Sequence, residues 1–200
     1  ANPCLIGDYD APWGDGSQDR PIIYRSGNDH GFALEDGGDA DHEEGYRFEN
    51  LTIMGGGSLA GWGFYFFNDI DDVEIVNCHI EGFGIGVHVA GSNPCSMDES
   101  CDGQNQRIVL RDSTIIGNHA QGWLGGSSGS QILNSYFENN GGGTHFDHNI
   151  YISGASYSET NGMRVVGNRL FRSSLDTDGI CRGVSLVVHG EHRDLVIDGN

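Results

Sequence analysis

The sequence predicts an all-β solenoid, which is a chain wound into stacked rungs of short strands. Short apolar alternations return along nearly the whole chain. The 33 glycines suit frequent tight turns and are too many for a helical protein. The alternations recur at irregular intervals that fall in the range of roughly 20 to 50 residues typical of solenoids.

The stretch from residue 72 to residue 91 shows the repeating unit most clearly. Its apolar positions form two groups, Ile75-x-x-Cys78-x-Ile80 and Ile85-x-Val87-x-Val89, separated by a glycine-bearing turn over residues 81–84. Alternation with period 2 is typical of a strand with one buried face. Because the first group skips two residues between Ile75 and Cys78, we predict a strand that bends or bulges there.

Both groups recur along the chain. Copies of the first are Phe48-x-x-Leu51-x-Ile53, Ile75-x-x-Cys78-x-Ile80, Leu110-x-x-Ser113-x-Ile115, Ile132-x-x-Ser135-x-Phe137, Val165-x-x-Asn168-x-Leu170 and Ile197-x-x-Asn200. Copies of the second begin at Gly31, Gly63, Gly86, Gly122, Asn149 and Gly183. The middle residues of the first group should form an inward ladder. Its polar members should bond main-chain groups of neighbouring rungs.

Three segments carry a resemblance to a known superfamily. They are NCHIEG at residues 77–82, HNIYISG at 148–154 and VVGNRL at 165–170. They resemble right-handed parallel β-helix proteins of the pectate-lyase-like superfamily, over roughly residues 3 to 200. The resemblance implies a single-stranded, right-handed parallel β-helix of about six to seven rungs. It implies no single activity, because that superfamily includes lyases, hydrolases, epimerases, phage tailspikes and adhesins.

The length of 200 residues predicts one domain, residues 1–200. The last repeat stops at Asn200, halfway through a predicted rung, and no polar capping segment follows. Solenoids need such caps for solubility. We therefore expect a fragment of a longer chain, with the last rung covered by a missing cap segment or by self-association.

The charge is strongly acidic, with 29 acidic residues against 10 basic ones and a net charge of −19. This balance argues against a nucleic-acid or anionic-lipid partner. No apolar run approaches the length of a membrane span. All the basic residues are arginines, so no catalytic base or charge clamp is a lysine.

The five cysteines bear on the compartment. Cys95 and Cys101 flank the polar loop SMDES, where a local disulfide is expected. A disulfide implies an oxidising environment, so we predict a secreted protein, extracellular or at the cell surface. Cys78 is expected to be a buried core residue. The pairing of Cys4 and Cys181 stays open.

The second group of the repeat predicts a column of outward side chains. Phe64, Val87, Trp123, Ile150 and Val184 align as inward residues, which leaves Ala33, Tyr65, His88, Leu124, Tyr151 and Ser185 pointing outward. A row containing Tyr65, His88 and Tyr151 suits a saccharide groove, because aromatic faces contact sugar rings and histidine transfers protons. The alternative is an exposed column that merely tolerates aromatic residues.

The richest stretch in chemistry is residues 144–154, THFDHNIYISG, which contains His145, Asp147, His148 and Tyr151. The glycine-rich loop over residues 139–143 precedes it, and functional residues often lie in such loops on a rigid scaffold. A structural alternative is that the Asp-His pair caps a turn.

Three kinds of chemistry compete for this stretch. In a β-elimination beside a uronate carboxylate, His148 or His88 is the base, Tyr151 the acid and Arg182 the group that neutralises the carboxylate. Tyr65, His145 and Asp178 are then candidates for substrate contact. Glycoside hydrolysis would use Asp147 and Asp178 as paired carboxylates. A zinc site would use His145, Asp147 and His148.

Calcium (Ca²⁺) is the expected metal, bound in either of two acidic segments. One is EDGGDADHEE at residues 35–44, in which Asp39 and Asp41 are candidate ligands. The other, at residues 176–179, contains Asp176 and Asp178 and resembles part of a calcium loop. Calcium would bridge this acidic protein to a polyanionic substrate.

Together these observations predict an extracellular carbohydrate-active protein whose partner is a polysaccharide or glycan. Lyase-type elimination on a uronate-containing glycan is placed ahead of glycoside hydrolysis. The alternative from another class is a non-catalytic β-helix that serves as a structural, appendage or adhesive module. The enzyme hypothesis requires His88, His148 and Tyr151 to share one face of the solenoid.

Overall fold

The computed structural model describes residues 4–8, 20–35, 45–67, 70–89, 105–153 and 160–200. The secondary structure of these residues is β-strand, with no helix among them. The described part accordingly contains no helical segment of the length and hydropathy that crossing a membrane requires.

Consecutive strands group into rungs of three. The first rung contains β1 (Cys4–Gly7), β2 (Ile22–Arg25) and β3 (Phe32–Glu35), and the second contains β4 (Tyr46–Glu49), β5 (Thr52–Gly55) and β6 (Trp62–Phe67). The third contains β7 (Val73–Val76), β8 (His79–Glu81) and β9 (Ile85–His88), and the fourth contains β10 (Val109–Arg111), β11 (Thr114–Ile116) and β12 (Gln121–Leu124).

The remaining rungs follow the same plan. The fifth contains β13 (Gln131–Leu133), β14 (Tyr136–Asn140) and β15 (His148–Ser153), followed by the short β16 (Thr160–Asn161). The sixth contains β17 (Arg164–Val166), β18 (Arg169–Ser173) and β19 (Leu186–His189), followed by β20 (His192–Arg193). Strand β21 (Val196–Asp198) begins a seventh rung.

Corresponding strands of successive rungs pair in parallel and build three sheets. The first sheet has the order β1-β4-β7-β10-β13-β17-β21, the second has β2-β5-β8-β11-β14-β18, and the third has β3-β6-β9-β12-β15-β19. Strands β16 and β20 form a separate parallel pair. This arrangement confirms the predicted parallel β-helix of six to seven rungs.

The corner between the first and second sheets corrects one prediction. Ile75 and Cys78 do not share a bent strand, because Ile75 belongs to β7 while Cys78 lies between β7 and β8. The residue at this corner has a positive φ, 49° at Asn77 and 59° at Asn50. Asparagine tolerates this left-handed conformation, which turns the chain sharply. The gap in the apolar alternation therefore marks a corner between two sheets.

The interior is filled by ladders of apolar side chains from the three sheets. Among the largest fully buried side chains are Phe48, Ile75 and Leu110 from the first sheet, Ile53, Ile80 and Phe137 from the second, and Phe64, Phe66 and Trp123 from the third. Cys78 is fully buried among them, as predicted, and burial raises the pKa of its thiol to about 11. Cys78 is therefore an unreactive core residue.

Polar side chains bond successive rungs at the first corner, as expected from the inward ladder. The N–H of Cys78 donates to Oγ of Ser113 at 3.0 Å, and the N–H of Ser113 donates to Oγ of Ser135 at 3.2 Å. The N–H of Ser135 then donates to Oδ1 of Asn168 at 2.9 Å, and that of Asn168 to Oδ1 of Asn200 at 3.0 Å. These side chains satisfy main-chain groups that would otherwise be buried without partners.

A second ladder of asparagines lies between the second and third sheets. Nδ2 of Asn118 donates to Oδ1 of Asn140 at 2.8 Å, and Nδ2 of Asn140 donates to Oδ1 of Asn149 at 2.9 Å. Nδ2 of Asn149 continues the ladder to the carbonyl of Arg172 at 2.8 Å. Because Asn149 is anchored on both sides, the start of β15 and the adjacent His148 are held firmly in place.

Candidate functional site

The predicted outward column lies on the outer face of the third sheet. The strand register aligns Ala33, Tyr65, His88, Leu124, Tyr151 and Val187. The prediction was wrong at its last member. Ile150 pairs with Leu186, whereas Val184 is 62% exposed and precedes the strand. Since β19 begins two residues later than the alignment assumed, Val187 takes the position expected for Ser185.

A second column on the same face was not predicted. The register places Trp62, Ile85, Gln121 and His148 side by side. His30 joins this row, because its Nδ1 accepts a hydrogen bond from the N–H of Trp62. Each of these residues directly precedes a glycine or Asn149. That following residue faces the interior: a Cβ on Gly63 would lie 2.6 Å from Cγ2 of Ile80. The residue before it consequently lies on the opposite side of the strand, where Ile85 and His148 are only 8% and 5% exposed.

Four rings of the two columns form an aromatic cluster, which we define as His30, Trp62, Tyr65 and His88. The Trp62 and His88 rings stack with centroids 4.7 Å apart and an interplanar angle of 6°. The His30 ring stacks on the Trp62 ring at 5.0 Å, and Tyr65 meets Trp62 edge-on at 4.3 Å. The cluster therefore presents a continuous aromatic surface across the first three rungs.

The two histidines of the aromatic cluster are held in their neutral form. Nδ1 of His30 accepts a hydrogen bond from the N–H of Trp62 at 3.1 Å, and burial lowers the pKa of His30. Burial lowers the pKa of His88 to about 4, and its Nδ1 is enclosed without a hydrogen bond. At neutral pH both rings are uncharged, and the low basicity of the His88 imidazole suits ring contacts better than proton abstraction.

His148 and Tyr151 form a second group two rungs further along the same face. Their ring centroids are 5.6 Å apart with an interplanar angle of 13°. Nδ1 of His148 lies 2.8 Å from the carbonyl oxygen of Val184. A carbonyl only accepts, so Nδ1 carries the proton and the neutral ring keeps a free electron pair on Nε2. This is the tautomer that a general base at Nε2 requires.

His88, His148 and Tyr151 thus share the outer face of the third sheet, but they do not form one compact site. The register places Leu124 between His88 and Tyr151, so their Cα atoms are two rungs apart. Two rung spacings are about 10 Å. His88 belongs to the aromatic cluster, while His148 and Tyr151 form the pair suited to proton transfer.

Asp147 organises its own loop. Its Oδ2 accepts a hydrogen bond from the N–H of Gly142 at 3.0 Å and from the hydroxyl of Thr144 at 2.9 Å. His145 is exposed, with its ring centroid 4.0 Å from that of Phe146. The hydrogen bonds of Asp147 correspond to the turn-capping alternative.

Arg182 is likewise engaged within a loop of the sixth rung. Its Nε donates to Oδ2 of Asp176 at 2.6 Å. Oδ1 of Asp176 accepts the N–H groups of Asp178 and Ile180, each at 2.9 Å. The bond from the Ile180 N–H is the largest cause of the lowered pKa of Asp176, and Arg182 adds to it. The segment expected to bind calcium is thus closed on itself by its own donors.

The described residues contain no group of three or more His, Cys, Asp and Glu side chains placed to hold a metal ion. The proposed zinc trio of His145, Asp147 and His148 is therefore not assembled. Asp39 and Asp41 lie outside the described residues, as do Cys95 and Cys101. Calcium binding over residues 35–44 and the disulfide stay predictions. Cys4 and Cys181 are exposed free thiols.

Comparison with known proteins adds no family to this geometry. No protein-family model matches the chain, and no curated protein or solved structure matches it significantly.

Proposed function

We propose that the chain is a carbohydrate-active protein that binds an extended saccharide along the outer face of the third sheet. The observation that supports this best is the row of outward rings. The aromatic cluster spans three rungs, and the stacked pair of His148 and Tyr151 continues the row on the fifth. The resemblance of the sequence to the pectate-lyase-like superfamily supports the same class of ligand.

The chemistry of the rings explains the choice of a sugar. Aromatic faces contact the apolar faces of sugar rings. Because His88 is desolvated and neutral, a sugar that covers its ring does not have to displace water from a positive charge. A row of such surfaces at the rung spacing suits an extended ligand better than a compact one.

The reaction that we propose is β-elimination on a uronate-containing glycan. Nε2 of His148 takes the proton from the carbon beside the carboxylate, and Tyr151 gives its proton to the glycosidic oxygen. The carbon–oxygen bond breaks as the new carbon–carbon double bond forms. Because Arg182 is paired with Asp176, a calcium ion bound together with the substrate would be the group that neutralises the substrate carboxylate.

The test is incubation with polygalacturonate, alginate and a glucuronan, each with calcium and with chelator. Formation of the unsaturated product is followed by its ultraviolet absorbance. We expect the variants His148→Gln and Tyr151→Phe to lower the rate by about 100-fold or more. Tyr24→Phe is the matched control, because Tyr24 is an exposed tyrosine on the second sheet.

A second candidate is a non-catalytic binding module. It is favoured by the loop contacts of Asp147 and Arg182, which leave neither side chain directed at a substrate. The same experiment separates the two. Saccharide binding with no unsaturated product from any uronate, with or without calcium, excludes elimination and supports the binding module.

A further inference from the structure

A groove of about 350 Å³ lies on the outer face of the second sheet. Its lining comes from the carboxyl ends of the second-sheet strands and from the loops that follow them. The lining includes Glu81, Glu138, Ile116, Gly117, Asn139 and Arg172. None of these residues belongs to the outward columns of the third sheet.

The two acidic residues of the groove have the same local setting. Oε2 of Glu81 lies 2.8 Å from Nε2 of His79, and Oε2 of Glu138 accepts the hydroxyl of Tyr136 at 2.7 Å. Each partner precedes its glutamate by two residues on the same strand. The residue between them, Ile80 or Phe137, is fully buried, so both pairs point outward.

The register fixes how far apart the two glutamates stand. Glu81 pairs with Ile116, and Ile116 pairs with Glu138, so two rung spacings separate them. These correspond to about 10 Å between Cα atoms. In inverting glycoside hydrolases the two carboxyl groups are about 6.5–9.5 Å apart, which leaves room for the attacking water. The separation of two rungs is close to the upper end of that range.

The groove also contains open space and a positively charged side chain. Gly117 contributes no side chain to the wall, and a Cβ built on it would meet nothing within 4 Å. Nη1 of Arg172 lies 4.0 Å from Oε1 of Glu138. A ligand in the groove would therefore meet two carboxyl groups with the Ile116 side chain between them, one guanidinium, and open space beside Gly117.

We propose that this groove is a second active site, in which Glu81 and Glu138 hydrolyse a glycosidic bond of a neutral polysaccharide with inversion of configuration. A neutral substrate fits best, because a net charge of −19 repels polyanions. The proposal does not rest on the third-sheet function, since the two sites share no residue.

The residue contacts assign the roles. Glu138, whose carboxylate accepts the Tyr136 hydroxyl and lies 4.0 Å from Arg172, acts as the base and takes a proton from water. Glu81, on the other side of Ile116, is the acid. Glu81 protonates the leaving oxygen while the water oxygen bonds to the anomeric carbon. The glycosidic bond breaks, and exchange with solvent returns both carboxyl groups to their starting forms.

The experiment is incubation with a soluble glucan, xylan, galactan and mannan, with release of reducing ends as the readout. We expect hydrolysis of at least one of them, and the first anomer detected by NMR should be the inverted one. Glu81→Gln and Glu138→Gln should each lower the rate by about 100-fold or more. Glu191→Gln, at an exposed position in the sixth rung, is the matched control.

Thermal unfolding of each variant separates loss of the fold from loss of chemistry. Glu138→Asp, which keeps a carboxylate but withdraws it, should retain more activity than Glu138→Gln. Release of reducing ends without the ultraviolet-absorbing unsaturated product distinguishes this site from the third-sheet site. Release from none of the four polysaccharides, a retained anomer, or full activity in both glutamine variants would overturn the proposal.

Discussion

The outer faces of the second and third sheets present different chemistry on the same rungs. On the third sheet, Trp62 is stacked against His88, and burial keeps the histidine neutral. On the second sheet, Glu81 and Glu138 are partly exposed, and each contacts polar or charged side chains. The rung spacing is common to both faces. The scaffold therefore sets the spacing between outward side chains on both faces. The identity of those side chains determines whether a face suits ring contact or proton transfer.

The two faces also use glycine differently. Gly63 in β6 faces the interior, where a Cβ would lie 2.5 Å from the carbonyl oxygen of Gly86 in the next rung. Gly117 beside the second-sheet groove has a φ of 61° and open space around it. One glycine allows close stacking of the rungs, and the other provides a turn. Substitutions at these positions should therefore have unequal costs.

The largest expected effect is that of Gly63→Ala. Because the added methyl group collides with main-chain atoms of the next rung, we expect the free energy of unfolding to fall by about 3 kcal/mol or more. Gly117→Ala should cost only about 1 kcal/mol, the strain of a left-handed alanine. Urea denaturation of both variants measures the difference. Equal losses would contradict the different packing of the two faces.

The next effect is a pH dependence that arises from His88. Its folded pKa of about 4 is below the unfolded value, so the unfolded chain binds more protons between the two. The contribution is complete above about pH 6.5 and is lost as the pH falls toward about 4. In His88→Gln, the stability loss between about pH 7 and about pH 4.5 should be smaller than in the wild type by roughly 2 kcal/mol.

Urea denaturation at the two pH values measures this change. Tyr65→Phe serves as the control, because it keeps the aromatic contact with His88 and leaves the histidine in place. An unchanged pH dependence in His88→Gln would mean that this imidazole is not desolvated. The contrast between a dry third-sheet face and a wetter second-sheet groove would then disappear.

The smallest effect concerns binding by Trp62. Removing its ring in Trp62→Ala takes away the centre of the aromatic cluster, so saccharide affinity at the third sheet should fall about tenfold. Calorimetric titration with a bound oligosaccharide measures it. Tyr24→Ala, which removes an exposed ring on the second sheet, should leave the affinity unchanged. Equal losses in both variants would place the binding surface elsewhere.

Much of the fold was predictable because the core positions repeat. The intervals from Leu51 through Asn168 located the rungs, and the burial of Cys78 followed from its position in the ladder. The corner at Asn77 was not predicted, because the pattern of apolar residues does not show which residue has a positive φ. The late start of β19 was missed for a similar reason, because Val184 is as apolar as the true inward residue, Leu186.

The candidate sites were predictable only in part. Tyr65, His88 and Tyr151 were found on one face because they follow inward residues at period 2. Trp62 was missed because Gly63 interrupts that period and turns the preceding side chain outward. Glu81 and Glu138 were missed because only the pairing through the intervening rung brings them into one column. Periodicity identifies a face, whereas register determines which residues meet on it.

The corner ladder from Cys78 to Asn200 has a direction. In each link the amide is supplied by one rung and the side-chain acceptor by the next rung along the chain. Loss of one acceptor therefore affects the preceding rung. Without the Ser135 hydroxyl, the N–H of Ser113 loses its hydrogen-bond acceptor, whereas the N–H of Ser135 still donates to Asn168. A rung that is duplicated or exchanged must offer a side-chain acceptor to the amide of the rung before it. Its own amide must find a side-chain acceptor in the rung after it. This asymmetry constrains the order in which such rungs succeed one another.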